Sequence, residues 1–484
     1  MQRTWTILTL AMGMTIATST QVHSQTIGLE QVIREVCTKS DSVKMMKESV
    51  IKADQMVREK WANAWPVINA TGAIAYNYGS ALGGSSGSSS SSPRALSKTA
   101  ANFTPQDSGI LSAIAPLLSQ FSDLTKPVPS EVYTAGLSFN QPIYTFGKVG
   151  TAIDVAKNFN KSAKASYARN MQTLQLGALD MFFRTMMAQK AADIADHSLA
   201  RKKELNSFLE RNFQNGSGSK AQVLKTRADV ADQITQTIIA KRDARVMRMN
   251  LNAMMGRQLT DSTDLDTVSS PDQIAKMTVP QPEDAVKTAF TERTDIKSMR
   301  FLAESNKGGA KIFKAMYLPT IGATGSAGYT RMDSDSKLIG KNNVNPSYSL
   351  GLGAQWTLFD GFANSAKAAQ YQSDANKLEI VASTMEKMVE IEVRSAILEC
   401  SAADSNMNSS KEMFLAASET YDLTSSNFKQ GSGQFADLQL ADETLQQAEL
   451  GMTNARYRLV RSRAALLVAM GNEIIKMNDG QKLK

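Results

Sequence analysis

The sequence predicts a mainly α-helical protein that also carries a membrane β-barrel, built from a duplicated helix-strand-strand-helix-helix repeat. The first observation is a pair of matching turns, NFQNGSG at 212–218 and NFKQGSG at 427–433. The second is a set of four segments in which apolar residues alternate with small polar ones. The third is the long, proline-free, helix-forming sequence on both sides of each turn. One Gly-Ser-Gly turn means little, but two in matching surroundings indicate a duplicated architecture.

The duplication extends through most of the chain. The two turns are offset by 215 residues, and nearer the start of each repeat the offset is 253. Further landmarks match in the same order: Trp65-Pro66 with Leu318-Pro319, Gly136-Leu137 with Gly351-Leu352, and Met255-Gly256 with Met470-Gly471. The predicted divisions are a first repeat at 25–256, a linker at 257–281, a second repeat at 282–471 and a C-terminal tail at 472–484.

The first 24 residues have the features of a secretory signal peptide. Arg3 precedes an apolar run from Trp5 to Ala17, and Val22 and Ser24 occupy the −3 and −1 positions of a cleavage site. A short membrane anchor is the alternative, but the run is shorter than the ~20 residues that span a bilayer. We therefore expect export of the protein.

The composition argues against several classes of function. His197 is the only histidine expected in the mature chain, so a Ser-His-Asp triad or a multi-histidine metal site has too few residues. Cys37 and Cys400 fit two buried thiols better than a disulfide framework. The net charge of +8 comes from interleaved acidic and basic residues, which is typical of solvated helix faces rather than a nucleic-acid groove. We expect no enzyme activity, no cofactor, no metal and no nucleic-acid partner.

The four alternating segments predict membrane β-strands at about 66–78, 132–143, 319–331 and 347–358. In the last of these, Tyr348, Leu350 and Leu352 alternate with Ser349 and Gly351. A soluble antiparallel sheet with one buried face is the alternative. The polar face, however, carries Gly, Ser, Thr and Asn rather than Lys and Glu. Aromatic residues also gather where strand meets helix, as in an interfacial girdle: Trp61, Trp65, Tyr144, Phe146, Tyr317, Trp356 and Phe359.

Four strands are too few to close a barrel, for which ~8 is the practical minimum. An open sheet in lipid would leave backbone groups without hydrogen bonds, so the chain must oligomerise. Three copies would supply twelve strands. The first two strands are joined by a predicted extracellular loop at about 79–131, which includes a flexible serine-rich run.

Long helices follow each strand pair. Stretches at about 148–211 and 361–427 would each span roughly 95–100 Å, and shorter ones at about 219–256 and 434–471 roughly 57 Å. Such helices need long partners, so we expect coiled-coil packing. A single helical stretch at about 27–64 or 282–316 is predicted before each strand pair.

These features resemble the TolC family of outer-membrane efflux and secretion channels. WTLFDG at 356–361 is similar to the family's strand-to-helix junction, and Tyr317-Leu318-Pro319 to the start of one of its strands. Phe428-x-x-Gly431 followed by Ala436-Asp437-Leu438 resembles its turn between helices. The resemblance covers about residues 27–471.

The resemblance implies a homotrimer with a twelve-stranded barrel in the outer membrane, continued by an α-helical barrel through the periplasm. Such a channel is the exit duct of a tripartite efflux pump or type I secretion system. Its implied partners are outer-membrane lipid, a periplasmic adaptor protein and an inner-membrane RND or ABC transporter. The alternative is a non-conducting coiled-coil surface protein or adhesin.

The family uses its turns to dock the adaptor, which makes six residues candidate docking positions: Gly216, Ser217, Gly218, Gly431, Ser432 and Gly433. A capping box between Ser219 and Gln222 is predicted to start the following helix. Asp437 and Phe428 are candidate pore-entrance residues, although Leu440 stands where the family often has a second acidic residue.

Several basic residues share one helical stripe and its counterpart in the second repeat. In a symmetric trimer they could form basic rings around the lumen, whereas the simpler interpretation is solvated cations near helix C-termini. The candidates are Lys241, Arg245, Arg248, Arg456 and Arg463.

Overall fold

The computed structural model describes residues 26–80, 127–265, 274–334 and 343–476. The predicted signal peptide and most of the predicted extracellular loop lie outside these residues. The first repeat contains α1 (Leu29–Lys39), α2 (Asp41–Ala62), β1 (Val67–Ser80), β2 (Pro127–Tyr144), α3 (Lys148–Gln214) and α4 (Lys220–Met255). The second contains α5 (Pro282–Glu292), α6 (Thr294–Ala315), β3 (Thr320–Ser334), β4 (Asn343–Gln355), α7 (Ala363–Lys429) and α8 (Phe435–Ala469).

The duplicated order of elements is confirmed, with two differences in detail. Each helical stretch predicted before a strand pair is two helices, because Ser40 and Arg293 have extended backbone with φ of −63°. Strand bounds also differ: the second strand begins at Pro127 rather than about 132, and the fourth begins at Asn343 and ends at Gln355 rather than 358. Residues 356–360 leave the sheet to form the junction with α7.

The chain divides into two compact units. The first comprises the described residues of Met1–Lys52, Lys161–Arg300 and Glu379–Lys484, and the second comprises those of Ala53–Asn160 and Phe301–Leu378. The first unit is helical, and the second holds the β-sheet and the helical segments next to it.

The first unit has two apolar clusters, one for each repeat. In one cluster, residues of α1, α3 and α4 pack together, including Ile33, Phe182 and Leu251, each fully buried. In the other, Ile296 packs with residues of α7 and α8 such as Val393. The short helices of each repeat therefore bury their apolar stripe against long helices. The first cluster also includes Val460 and Ala464 of α8 from the second repeat.

The same glycine-based helix end recurs in both repeats. Gly256 ends α4 with φ of +71°, and Gly471 follows α8 with φ of +85°. A side chain on Gly256 would lie 3.0 Å from the Lys39 carbonyl oxygen, and one on Gly471 would lie 2.9 Å from the Arg293 backbone nitrogen. Only glycine satisfies both the left-handed conformation and the close approach at the end of α1 or α5.

Ion pairs reinforce these contacts. Arg257, next to Gly256, donates to both carboxylate oxygens of Glu35 at 2.6 and 2.8 Å. These hydrogen bonds hold the pKa of Glu35 below its ordinary value. Arg293 is buried and donates to Asp295 and Glu392. Burial raises the pKa of Asp295, but the hydrogen bonds from Arg293 together with the positive charges of Arg293 and Arg169 outweigh burial and keep the pKa lowered.

The second unit contains an antiparallel sheet with strand order β1-β2-β3-β4. Its register aligns Ile68, Phe139, Gly325 and Leu350 across the sheet, so the apolar residues of the four strands share one face. Ile74 is 76% exposed and Leu350 is 82% exposed on that face. Glu131 and Arg331 lie on the same face near one end of the sheet. The rest of this face is apolar and uncovered, which requires an apolar environment or partner.

None of the helices in the described part of the chain is long and apolar enough to cross a membrane.

The WTLFDG motif forms the junction between β4 and α7. Trp356 donates its indole N–H to the Tyr317 carbonyl oxygen at 2.8 Å, and Tyr317 donates its hydroxyl to Asp360 at 2.9 Å. The other Asp360 oxygen accepts the Asn364 backbone N–H at 2.8 Å and so caps α7. This cap, together with the Tyr317 hydroxyl, keeps the pKa of Asp360 below its ordinary value. Gly361 and Phe362 both have φ of +66° and reverse the chain into the helix.

Two consecutive glycines in α6 allow close helix packing. An added Cβ on Gly308 would lie 2.5 Å from a Val155 methyl of α3, and one on Gly309 would lie 2.7 Å from the Tyr371 ring of α7. Tyr371 also stacks on Phe313 with ring centroids 5.2 Å apart. The Gly-Gly pair therefore seats α6 between two long helices.

We predict that Gly309→Ala destabilises the protein by about 1–3 kcal/mol, because overpacking against Tyr371 exceeds the helix-propensity gain of about 1 kcal/mol. Gly150→Ala is the matched control, since no atom lies within 4 Å of its added Cβ. Thermal unfolding of the purified protein measures both. A rise in Tm for both variants would contradict the packing argument.

Candidate functional site at the helical-hairpin turns

The turns between α3 and α4 and between α7 and α8 have the same geometry. Gly216 has φ of +81° and donates its N–H to the Phe213 carbonyl at 3.0 Å, while Ser217 donates to Asn212 at 2.9 Å. Gly431 has φ of +85° and makes the equivalent bond to Phe428. This pair of hydrogen bonds is the Schellman motif, which ends a helix on a left-handed residue.

The second glycine of each turn is required by space rather than by φ. A Cβ on Gly218 would lie 2.6 Å from the Phe213 nitrogen, and one on Gly433 would lie 2.8 Å from the Phe428 nitrogen. The serine between the glycines also bonds back to the helix, since Ser217 and Ser432 each donate their hydroxyl at 3.1 Å to the asparagine carbonyl five residues earlier. All three residues of each turn thus have a structural role.

The predicted capping box is wrong. Ser219 occupies the N-cap of α4 with extended backbone, but its side chain makes no capping hydrogen bond. Gln434 at the N-cap of α8 likewise makes none. The chain enters each second helix directly from the glycine turn, so the turn geometry sets the helix start.

Phe428 lies in an aromatic cluster just behind the second turn. Its ring centroid is 6.2 Å from that of Phe208 on α3 and 6.0 Å from that of Phe435 on α8. Phe428 is half-buried. Its contact with Phe208 packs the first hairpin (α3–α4) against the second (α7–α8), and its contact with Phe435 joins the two helices of the second hairpin. The geometry therefore gives Phe428 a packing role.

Asp437 is exposed in the first turn of α8, where a carboxylate is favoured by the helix dipole. It borders a groove between α7 and α8 whose other lining includes Met413, Thr420 and Leu440. Asp437 is therefore available to solvent or to a partner, and its surroundings are apolar or uncharged.

A buried ion pair joins the two hairpins. Arg201 of α3 donates its Nε–H to the Asp442 carboxylate of α8 at 2.6 Å, and Asp442 is only 8% exposed. The Arg201 guanidinium also lies 5.4 Å from the ring centroid of Tyr421 on α7. Burial raises the pKa of Tyr421. Three helices thus meet at this cation.

Further polar contacts between the hairpins are more exposed. Lys429 pairs with Glu204 at 2.9 Å, with both side chains more than half exposed. Gln439 donates to Asp229 at 2.5 Å, and Asp229 also pairs with Lys225 at 2.7 Å. Such exposed pairs contribute little stability, so the buried pair and the aromatic cluster dominate the contact.

The structure gives the candidate basic residues different environments. Lys241 pairs with Asp196 at 2.8 Å, and Arg463, largely buried, pairs with Asp404 at 2.7 Å. Arg248 is half-buried, and Arg456 has a partner as well. Arg245 is exposed and forms no ion pair with any residue that the structure describes. The five cations are therefore not equivalent sources of charge.

Sequence reasoning missed the tie between Arg201, Tyr421 and Asp442. Each residue lies on a helix with many similar charged and polar neighbours, and no local pattern marks the three as partners. The one indication in the sequence was the position of Asp442. It follows Ala441 on the side of α8 that is buried at Leu438 and Leu445.

Known proteins share this architecture. A sequence profile of the family described as "Outer membrane efflux protein" matches residues 108–257 and 285–472. The chain is 22% identical over 405 residues to the outer membrane protein TolC of Escherichia coli (strain K12), covering 78% of this chain and 79% of TolC. It is 20% identical over 338 residues to the outer membrane efflux protein BepC of Brucella suis biovar 1 (strain 1330), covering 70% and 72%.

A solved structure agrees in fold. The outer membrane protein VceC of Vibrio cholerae matches with a TM-score of 0.68 at 15% identity, covering 92% of this chain and 97% of VceC. At this identity the likeness concerns the fold.

We predict that Asp442→Asn loosens the contact between the hairpins by about 3 kcal/mol, because it leaves the Arg201 cation buried without its counter-charge. Lys429→Gln removes the exposed pair between the same hairpins and should cost less than about 1 kcal/mol. Hydrogen–deuterium exchange in α3 and α8 measures both. Equal protection in the two variants would show that burial does not distinguish the pairs.

Proposed function

Because the chain belongs to the outer membrane efflux protein family, we propose that it assembles as a homotrimer and forms the passive exit duct of a tripartite efflux pump or type I secretion system. It is an outer membrane efflux channel that extends into the periplasm. Members of this family are channels, not enzymes.

The observation that carries the trimer proposal is the two-faced open sheet. β1 and β4 lie at its edges, and among the described residues each has one side without a strand partner. In lipid, each unpaired backbone group would cost several kcal/mol. Copies of the chain can satisfy these edges by pairing β4 of one with β1 of the next, and three copies give twelve strands.

The other face of the sheet suits a water-filled lumen. Its residues are small or uncharged, as with Asn69, Thr71, Ser138, Ser326 and Ser349, and the register places them opposite one another. Such a wall offers no charge for selecting substrates in the barrel. Substrate choice would then belong to the inner-membrane pump, an RND or ABC transporter.

The two turns are the proposed docking surface for a periplasmic adaptor protein. Gly216, Gly431 and the serines beside them are exposed or half-buried, and their compact geometry is the same in both repeats. A trimer would present six such turns. Rigid, repeated backbone features of this kind are suited to recognition by a partner, because their geometry is fixed before binding.

Charge at the pore entrance is proposed to come from Asp437, which a trimer would present three times. We assign Phe428 a packing role between the helices rather than a role in the entrance charge, because its ring packs against Phe208 and Phe435. Among the proposed basic rings, Arg245 is the strongest source of charge, because Lys241 and Arg463 are paired within the chain.

We predict that the purified protein is a trimer that conducts ions across a planar bilayer, whereas a coiled-coil surface protein or adhesin would not conduct. Leu350→Lys should prevent stable insertion, since a lysine on the lipid face costs about 2–4 kcal/mol near the bilayer midplane. Ser349→Lys, one residue away on the other face, should insert and shift ion preference toward anions. Equal insertion of both variants, or a stable monomer by light scattering, would refute the barrel.

For docking, we predict that Gly216→Val and Gly431→Val weaken adaptor cross-linking and export while trimers still reach the membrane. Valine strongly disfavours the positive φ of both positions. Gly451→Val is the matched control, because Gly451 lies within α8 away from the turns, does not have positive φ and has no atom within 4 Å of an added Cβ. Unchanged cross-linking in both valine variants would argue against docking at the turns.

For the entrance, we predict that Asp437→Asn lowers cation preference in reversal-potential measurements, most clearly at low salt where screening is weak. Asp284→Asn makes the same change of charge at an exposed position of α5 and should leave the reversal potential unchanged. Equal shifts in the two variants would place Asp437 away from the conduction path.

A further inference from the structure

A partly open cavity of about 150 Å³ lies behind the turns and is lined by all four helices of the two hairpins. α3 contributes Leu205 and Phe208, α7 contributes Tyr421 and Phe428, and α8 contributes the buried Leu438. It belongs wholly to the first unit and is separate from the surface of the turns.

The apolar part of the cavity fits one aromatic ring. Phe208 and Phe428 present their rings to the cavity 6.2 Å apart at a 62° angle, an arrangement typical of aromatic packing. An apolar cavity of ~150 Å³ is large enough to bind benzene, and this cavity has that volume in total, shared between its aromatic and its charged parts.

The charged part of the cavity favours a cation. Five carboxylates line it against three basic side chains. Arg201 and Lys429 are paired with the carboxylates Asp442 and Glu204, whereas Lys202 donates to the neutral amide oxygen of Gln233 and keeps its charge.

Two of the carboxylates that line the cavity have no ion-pair partner among the described residues. Among the residues that the structure describes, neither Asp232 of α4 nor Glu443 of α8 forms an ion pair. Lys225 interacts electrostatically with Glu443, but its ammonium is bonded to Asp229 at 2.7 Å. The cavity thus combines aromatic walls with uncompensated negative charge on two different hairpins.

We propose that this cavity binds a small amphiphilic cation, namely a protonated amine attached to one aromatic ring. The ring packs among Phe208, Tyr421 and Phe428, and the ammonium is stabilised by Asp232 and Glu443. A few polar groups at the rim of an apolar pocket are the usual basis of small-molecule recognition. Because the two carboxylates belong to different hairpins, the bound amine ties α4 to α8.

The test uses full-length protein purified in detergent and ligand-observed fluorine NMR. The probe is 4-fluorophenethylamine, and the matched neutral compound is 2-(4-fluorophenyl)ethanol, which has the same ring without the ammonium. We expect the amine to bind at least about fivefold more tightly than the alcohol, and added salt to reduce that difference. Protein-free micelles give the baseline for partitioning into detergent.

Variants locate the site. Asp232→Asn with Glu443→Gln should weaken amine binding at least about fivefold and leave alcohol binding unchanged. Asp422→Asn with Glu419→Gln makes the same change of charge at exposed positions of α7 that do not line the cavity, and should have no effect. Ser425→Phe, which fills the cavity, should abolish binding of both compounds.

Equal affinity for the amine and the alcohol would overturn the proposal, as would equal weakening in the two double variants. Both double variants change only exposed side chains, so they test the site even if Ser425→Phe misfolds. The measurement involves neither export nor conduction, and its outcome is therefore independent of the proposed duct.

Discussion

The need to hydrogen-bond every backbone group in lipid is the constraint on which the rest of this structure depends. The sheet of one chain has an exposed apolar face and two open edges, so it is stable only when other chains pair with its edges. Closing a barrel from separate chains demands that each chain present its strands in the same way. The duplicated repeat meets this demand, because it produces two similar strand pairs from one plan.

Glycine residues end the long helices in the same way in both repeats. Gly216 and Gly431 end the first long helix of each repeat, and Gly256 and Gly471 end the second, all four with positive φ. At Gly256 and Gly471 the left-handed residue also lies against the end of a neighbouring helix, so conformation and packing are specified by one residue. Helix length and helix contact are thereby coupled.

Much of the fold followed from the sequence because its signals were periodic or duplicated. The alternation around Leu350 predicted the strand faces, and the two turns predicted the hairpins. The predictions that were wrong, and the contact that was missed, depended on residues that are distant in sequence. Ser40 and Arg293 interrupt predicted helices where the chain packs against other elements, and nothing near Ser219 shows that its hydroxyl would go unused. The pairing of Arg201 with Asp442 joins residues 241 positions apart, beyond any local pattern.

Several hydroxyls on the uncharged sheet face form hydrogen bonds within the sheet itself. Ser326 and Ser349 bond each other at 2.8 Å, and Thr71 and Thr134 donate to carbonyls of the neighbouring strand. Hydroxyls that are bonded within the sheet form fewer hydrogen bonds with a passing molecule. A solute that binds weakly to the wall dissociates quickly. Chemically unrelated solutes would therefore stay only briefly in this part of the path, because the wall does not provide a series of binding sites.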